Sequence, residues 1–237
     1  MKNVKFGYKE DEIILKGVSF SVNKGQTLAI VGATGAGKST IINLLSRFYE
    51  IWEGEILVDG QNIKDITLSS LRENIAVVLQ DVFLFSDSIY NNITLNKEIP
   101  LDEVQAAAAF IGVDEFIGNL PDQYDYNVRE RGNMLSVGQR QLLAFLRAYV
   151  SNPSVLVLDE ATSSIDTQSE ALIQKAIDKL TEGRTSIIIA HRLATIRKAD
   201  RIVVLDKGRV AETGTHDELL QNDKGLYHSL SELQFTH

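Results

Sequence analysis

The sequence predicts an α/β protein: a mainly parallel sheet, preceded by an N-terminal antiparallel β subdomain and interrupted by an inserted, mostly helical subdomain. Three observations carry that expectation. The buried-type run TLAIV at 27–31 leads through the glycine-rich stretch GATGAGKST (Gly32–Thr40) into IINLLSRFY, whose apolar residues have helical spacing. Two further apolar runs, VLVL at 155–158 and SIIIA at 186–190, are bounded by polar residues and separated by the helix-like SEALIQKAIDKLTEG. Strands buried on both faces and alternating with helices are the pattern of a parallel sheet. Residues 84–150, in contrast, carry few strand signals and contain the helix-like LDEVQAAAAFIGVDEFI.

In chain order, residues 1–31 read as short strands joined by turns: NVKFGY alternates Val4, Phe6 and Tyr8 on one face, and VSFSV alternates Val18, Phe20 and Val22. Within the helical lobe, LSVGQRQ (Leu135–Gln141) places Ser136 three residues before Gln139, the S-x-x-Q capping box that starts a helix. In the tail, Thr215 of THDELLQ is a natural N-cap, so the end should close as one or two helices. One domain is expected over 1–237, with 1–83 and 151–237 as core plus β subdomain and 84–150 as the helical subdomain.

Composition narrows the chemistry. The chain has 237 residues, of which 44% are hydrophobic, enough for a sizeable core. It has no cysteine, so disulfides, thiolate metal sites and a cysteine nucleophile are out, and any metal must be held by oxygen or histidine. Asp plus Glu outnumber Lys plus Arg by 32 to 24, and a net charge of −8 argues against a nucleic-acid partner held by a basic surface. No apolar run approaches the ~20 residues that cross a bilayer, and no signal peptide opens the chain.

Two motifs carry chemistry. GATGAGKS fits the phosphate-loop pattern G-x-x-x-x-G-K-[ST] at Gly32, Gly37, Lys38 and Ser39. Glycines let successive backbone N–H groups turn inward around a phosphate, and a helix N-terminus adds partial positive charge. Lys38 adds a full charge, and Ser39 an oxygen for Mg²⁺. The second motif is VLVLDE. Asp159 and Glu160 stand side by side at the end of a hydrophobic strand, and successive strand side chains point to opposite sides. One carboxylate can therefore serve a metal and the other a water. Asp159 is assigned to Mg²⁺, and Glu160 to the water that attacks a γ-phosphate.

The phosphate loop, LSVGQ, VLVLDEATSSID and IIIAHR, in this order, resemble the nucleotide-binding domain of an ABC (ATP-binding cassette) transporter, and the likeness covers nearly the whole chain. The resemblance implies a P-loop NTPase (RecA-like) core that binds ATP and Mg²⁺. It implies that Tyr8 and the loop residues Gly32, Thr34, Gly35, Ala36, Gly37, Lys38, Ser39 and Thr40 hold the nucleotide, and that Ser39, Gln80 and Asp159 serve the metal. Gln80 is the Q-loop glutamine, His191 the switch histidine and Ser163 to Asp166 the D-loop; Glu160, Gln80 and His191 are the catalytic set. Two such domains pack head to tail, so Ser136, Gly138 and Gln139 of the signature, with Asp166, should meet nucleotide across the pair.

Single residues have competing readings. Tyr8 is either a ring stacked on adenine, the favoured reading, or a core tyrosine sharing a face with Val4 and Phe6. His191 is read as a γ-phosphate contact over a satisfied structural histidine. QDVFLF at 80–85, ERG at 130–132 and the ending GTHDELLQNDKGLYHSLSELQ are similar to the exporter branch, whose membrane domain usually precedes this domain in one polypeptide. Since Met1 lies just before the first strand, an excised domain of a chain at the cytoplasmic face of the membrane is expected. Val137 departs from the glycine usual in the signature, and Arg129 from the glycine frequent before ERG, which leaves a homodimer and a heterodimer both open. The alternative is the ATPase subunit of an importer. A chromosome-maintenance protein would need a long coiled coil between phosphate loop and signature, and residues 41–134 hold no such heptad run. A nucleotide sensor without turnover does not need Glu160, Gln80 and His191.

Overall fold

The chain divides into two compact units, Met1–Val77 with Ser154–Ala161 and Gly183–His237, and Val78–Pro153 with Thr162–Glu182. The computed structural model describes residues 1–159 and 167–235.

The first unit begins with β1 (Lys2–Lys9) and β2 (Glu12–Val18), an antiparallel pair running from Val4 opposite Val18 to Lys9 opposite Glu12. The sequence reading put the second strand at 18–22, and the structure corrects it: the ladder ends at Val18. Beyond it, Ser19 Oγ takes the Asn3 N–H at 2.7 Å, and Phe20 exchanges backbone hydrogen bonds with Met1 at 2.9 and 3.1 Å. Phe20 and Val22 still pack on the core, so their alternation reported burial and not strand. Next come β3 (Thr27–Gly32), α1 (Lys38–Leu45), β4 (Glu53–Glu55), the β5 (Leu57–Val58) and β6 (Gln61–Asn62) hairpin, α2 (Leu68–Asn74) and β7 (Ile75–Val78). β1 lies between β2 and β4 in a three-stranded sheet. Thr67 caps α2 by accepting from the Ser70 N–H at 3.3 Å, which satisfies one of the N-terminal donors that a helix leaves over.

The second unit holds α3 (Ile89–Thr94), α4 (Leu101–Ile111), α5 (Asp114–Gly118) and α6 (Val137–Val150), and also α7 (Thr167–Thr181), which packs on α4 and α6. The expected helical subdomain, 84–150, left α7 with the core. Between α6 and α7 the chain passes through β8 (Val155–Asp159) of the first unit; after α7 it adds β9 (Thr185–Ile189), α8 (Leu193–Lys198), β10 (Arg201–Asp206), β11 (Arg209–Gly214), α9 (His216–Leu220) and α10 (Leu226–Phe235).

The main sheet has the order β11-β10-β3-β9-β8-β7. β10 and β9 flank β3 in parallel, β8 runs parallel to β9, and β11 turns back antiparallel on β10. One apolar cluster joins this sheet to the antiparallel one: Leu28 and Ile30 of β3, Ile41 and Leu44 of α1, Val157, Ile187, Val203 and Leu205 of the flanking strands, and Val4, Phe6 and Leu15 of β1 and β2. That common core is what holds β1 against α1. The tail closes as two helices. Thr215 caps α9 in a box with Glu218, and the Glu212 carboxylate accepts the Leu226 and Tyr227 N–H groups at the start of α10 at 2.8 and 3.0 Å. Among the described residues, no helix is long and apolar enough to cross a membrane.

Candidate active site

Three adjacent parallel strands, β3, β9 and β8, end on the same side of the first unit, and each delivers one predicted residue set there. The register pairs Ile30 with Ile189 and Ile189 with Asp159, so the loop after β3, His191 two residues past β9 and Asp159 at the tip of β8 are neighbours. Crevices at the carboxyl ends of parallel strands are where open α/β sheets bind ligands.

The loop from Gly32 to Gly37 is shaped by glycine at two demanding points. Gly35 has φ +81° and Gly37 φ +105°, both in the region that penalises a side chain. A Cβ on Gly35 would meet no protein atom within 4 Å, so this point of the loop faces open space; a Cβ on Gly37 would lie 2.7 Å from the Leu15 side chain. Gly37 is the N-cap of α1 and provides no side-chain cap, so the first N–H groups of that helix have no partner within it. Such a terminus suits an anion. The Lys38 ammonium donates to the Gly32 and Ala33 carbonyls at 2.7 and 3.1 Å, which folds the side chain back over the loop. Ser39, Thr34 and Gly35 are exposed, while Thr40 and Ala36 are buried.

Burial pushes the pKa of Lys38 down, and the Asp159 carboxylate opposes the shift; burial pushes Asp159 up, and Lys38 opposes that. His191 is lowered by burial and then by Lys38, which keeps its imidazole neutral near pH 7. One cation thus acts on both a carboxylate and an imidazole. Among the described residues no group of three His, Asp or Glu side chains could cage a metal. The Ser39 hydroxyl and the Asp159 carboxylate are hard oxygen donors, and this sparse set fits Mg²⁺, which keeps waters and substrate phosphates in its shell.

Tyr8 is 47% exposed, unlike its face-mates Val4 at 0% and Phe6 at 3%, so it is no core residue. Phe6 and Tyr49 each meet its ring edge to face, with centroids 5.1 Å away. Its hydroxyl lies 3.2 Å from Thr40 Oγ1 and accepts from Asn43 Nδ2 at 3.0 Å.

In the second unit, Gln80 is exposed two residues past β7. The capping box is formed: Ser136 Oγ accepts from the Gln139 N–H at 3.1 Å, and the Gln139 side chain accepts from the Ser136 N–H at 2.9 Å. Ser136 and Val137 are exposed at the start of α6, and Gly138 is buried. Glu160, Ser163 and Asp166 lie outside the described residues.

A family model described as ABC transporter matches residues 15–163. The chain belongs to the ABC transporter family. It is 50% identical over 236 residues to "Uncharacterized ABC transporter ATP-binding protein YknV" of Bacillus subtilis, covering 99% of this chain and 39% of that protein. It is 46% identical over 234 residues to "Probable multidrug resistance ABC transporter ATP-binding/permease protein YheH" of the same organism, covering 98% of this chain and 35% of that one. Among solved structures, "Structure of a bacterial Atm1-family ABC exporter with ATP bound" superposes with a TM-score of 0.91 at 47% identity, over all of this chain and 41% of the other. The chain therefore spans about two-fifths of the length of such relatives. Its fold is that of the ABC ATPase domain: a P-loop NTPase core with an N-terminal antiparallel β subdomain, a mixed, mostly parallel sheet and a helical subdomain.

In this ABC domain the residues that sequence reasoning missed are Asn43 and Tyr49, which fix the Tyr8 ring. Asn43 is one polar position in a helix and Tyr49 one aromatic after it; only their contacts mark them.

Proposed function

We propose that this chain is the ATP-binding and ATP-hydrolysing motor domain of an ABC exporter, pairing head to tail with a second nucleotide-binding domain and driving a membrane domain that belongs to the same natural polypeptide. The observation that carries the reading is the convergence of the phosphate loop, Asp159 and His191 at the ends of β3, β8 and β9. An importer ATPase has its permease on a separate chain; a relative whose name joins ATP-binding and permease, with this chain covering 35% of it, favours the exporter.

The residues divide the work. Backbone N–H groups of Gly35 to Ser39 hold phosphate oxygens, and Lys38, released from the Gly32 and Ala33 carbonyls, turns its charge to the β- and γ-phosphates. Tyr8 stacks on adenine. Ser39 and Asp159, with Gln80 as the family resemblance implies, would hold Mg²⁺, which would draw charge from the phosphate oxygens. Glu160 accepts a proton from the water that attacks the γ-phosphorus as the bond to the bridging oxygen of ADP breaks. His191, neutral near pH 7, donates a hydrogen bond to a γ-phosphate oxygen. Ser136, Gly138 and Gln139, with Asp166, contact nucleotide across the pair. The domain works at the cytoplasmic face of the membrane.

Glu160→Gln tests the assignment. It keeps shape and polarity but removes the base, so hydrolysis should fall at least ~10²-fold with ATP affinity nearly unchanged, whereas Lys38→Ala should weaken binding itself. Specific activity of the unaltered chain should rise with protein concentration, as shared sites require. Turnover at the parent rate in Glu160→Gln would sink the role of Glu160, and a chain that binds no ATP would sink the whole reading.

A further inference from the structure

Adenine stacking requires a ring held in one orientation, and the side chains around Tyr8 hold it from two sides. Phe6 and Tyr49 press their edges or faces on it at interplanar angles of 86° and 83°, which fixes the ring's tilt. Its hydroxyl is fixed separately, from α1. Asn43 Nδ2 donates to the phenol oxygen at 3.0 Å, and the phenol proton is then free to reach Thr40 Oγ1 at 3.2 Å. Thr40 and Asn43 stand three residues apart, on one face of α1, where i and i+3 side chains are neighbours. Thr40 is buried, 5% exposed, so the anchor point itself has little freedom. The same helix begins at Lys38 and presents its N-terminus to the phosphates. Base platform and phosphate cradle are therefore tied by one short hydrogen-bonded link.

We infer that Asn43 is a positioning residue for nucleotide binding: through the Tyr8 hydroxyl it holds the stacking ring at a set distance from the phosphate loop. The inference rests on the reading of Tyr8 as the adenine platform. Asn43 does not touch nucleotide; it reduces the rotamer freedom that Tyr8 would otherwise lose on stacking. A tyrosine at this position serves better than phenylalanine, because only the hydroxyl can take the link.

A double-mutant cycle in the 237-residue chain, read as ATP dissociation constant by equilibrium titration, tests this. Asn43→Ala should weaken ATP binding about threefold to tenfold, the range of one net hydrogen bond. Tyr8→Phe should weaken it by a similar factor, and the double variant should be no weaker than the worse single one, since both remove the same link. Inorganic tripolyphosphate, which has no base, should compete with the same affinity in Asn43→Ala and in the parent, and the thermal midpoint should hardly move. Equal loss for ATP and tripolyphosphate would mean that Asn43 merely supports α1. Multiplying effects in the double variant would mean that Asn43 acts apart from Tyr8. Either result overturns the inference, as does parent affinity in Asn43→Ala. Tyr8→Ala separates the two levels: if it binds ATP as the parent does, the adenine platform itself is wrong; if it binds weakly while Asn43→Ala binds normally, only the positioning role falls.

Discussion

Replacing Gly35 with alanine should weaken nucleotide binding far more than it weakens the fold, and the other loop glycines should behave in the opposite way. At Gly35 the added methyl meets no protein atom within 4 Å, so the only cost to the empty protein is conformational, about 1–2 kcal/mol for a side chain at φ +81°. At Gly37 a similar backbone cost is joined by a contact 2.7 Å from Leu15 Cδ2, a rotatable tip, giving about 2–4 kcal/mol. At Gly32 the methyl would stand 2.3 Å from the Leu205 carbonyl oxygen, in the parallel ladder with β10. Backbone cannot swing aside as a side chain does, so strands must part, at a cost above about 3 kcal/mol. Urea denaturation without nucleotide should rank the variants in this order. ATP titration should then show Gly35→Ala binding at least tenfold more weakly, about 1.4 kcal/mol, because its methyl occupies the space that a phosphate needs. Parent affinity in Gly35→Ala, or a stability loss equal to that of Gly32→Ala, would refute the cradle.

Ser136→Ala removes both the side-chain acceptor for the Gln139 N–H and the capping box, and should lower stability by about 1 kcal/mol, visible as a lower thermal midpoint; Ser136→Asp should restore much of it, since aspartate also caps. For pH, burial lowers both His191 and His216 from the ordinary histidine value, so the folded state releases protons that the unfolded state keeps. Stability from these groups is therefore present above the unfolded pKa of about 6.5 and is lost as pH falls below it. Denaturation midpoints should drop between about pH 6.5 and 5, and His191→Gln should flatten that drop; an unchanged slope would show that the fold does not lower the His191 pKa.

Motifs whose physics is local were legible in the sequence. The spacing from Gly32 to Ser39 sets a turn between one strand and one helix, and nothing farther along the chain is needed to see it. The same holds for Ser136 with Gln139, and for Thr215 at the start of α9. Legibility ended where a pattern reports burial without saying which partner buries it. VSFSV alternates like a strand, yet β2 lies at Glu12–Val18, because Phe20 turns its backbone to Met1 and not along the ladder. The sequence pattern assigns no strand to RIVVLD, although β10 sits beside β3 and its Leu205 carbonyl oxygen lies 2.3 Å from where a methyl on Gly32 would stand.

By itself, then, the sequence determined the loop, the carboxylate at a strand end and the family, since each is written in consecutive residues. Tertiary structure alone decided that Lys38, Asp159 and His191 meet, because strand order is a long-range choice: β9 lies between β3 and β8 although it follows both in the chain. It also decided that Tyr8 leaves the core. β1 and α1 are distant enough in sequence that no periodicity links Tyr8 to Thr40 and Asn43, and only the shared apolar core beneath them brings the phenol to the helix.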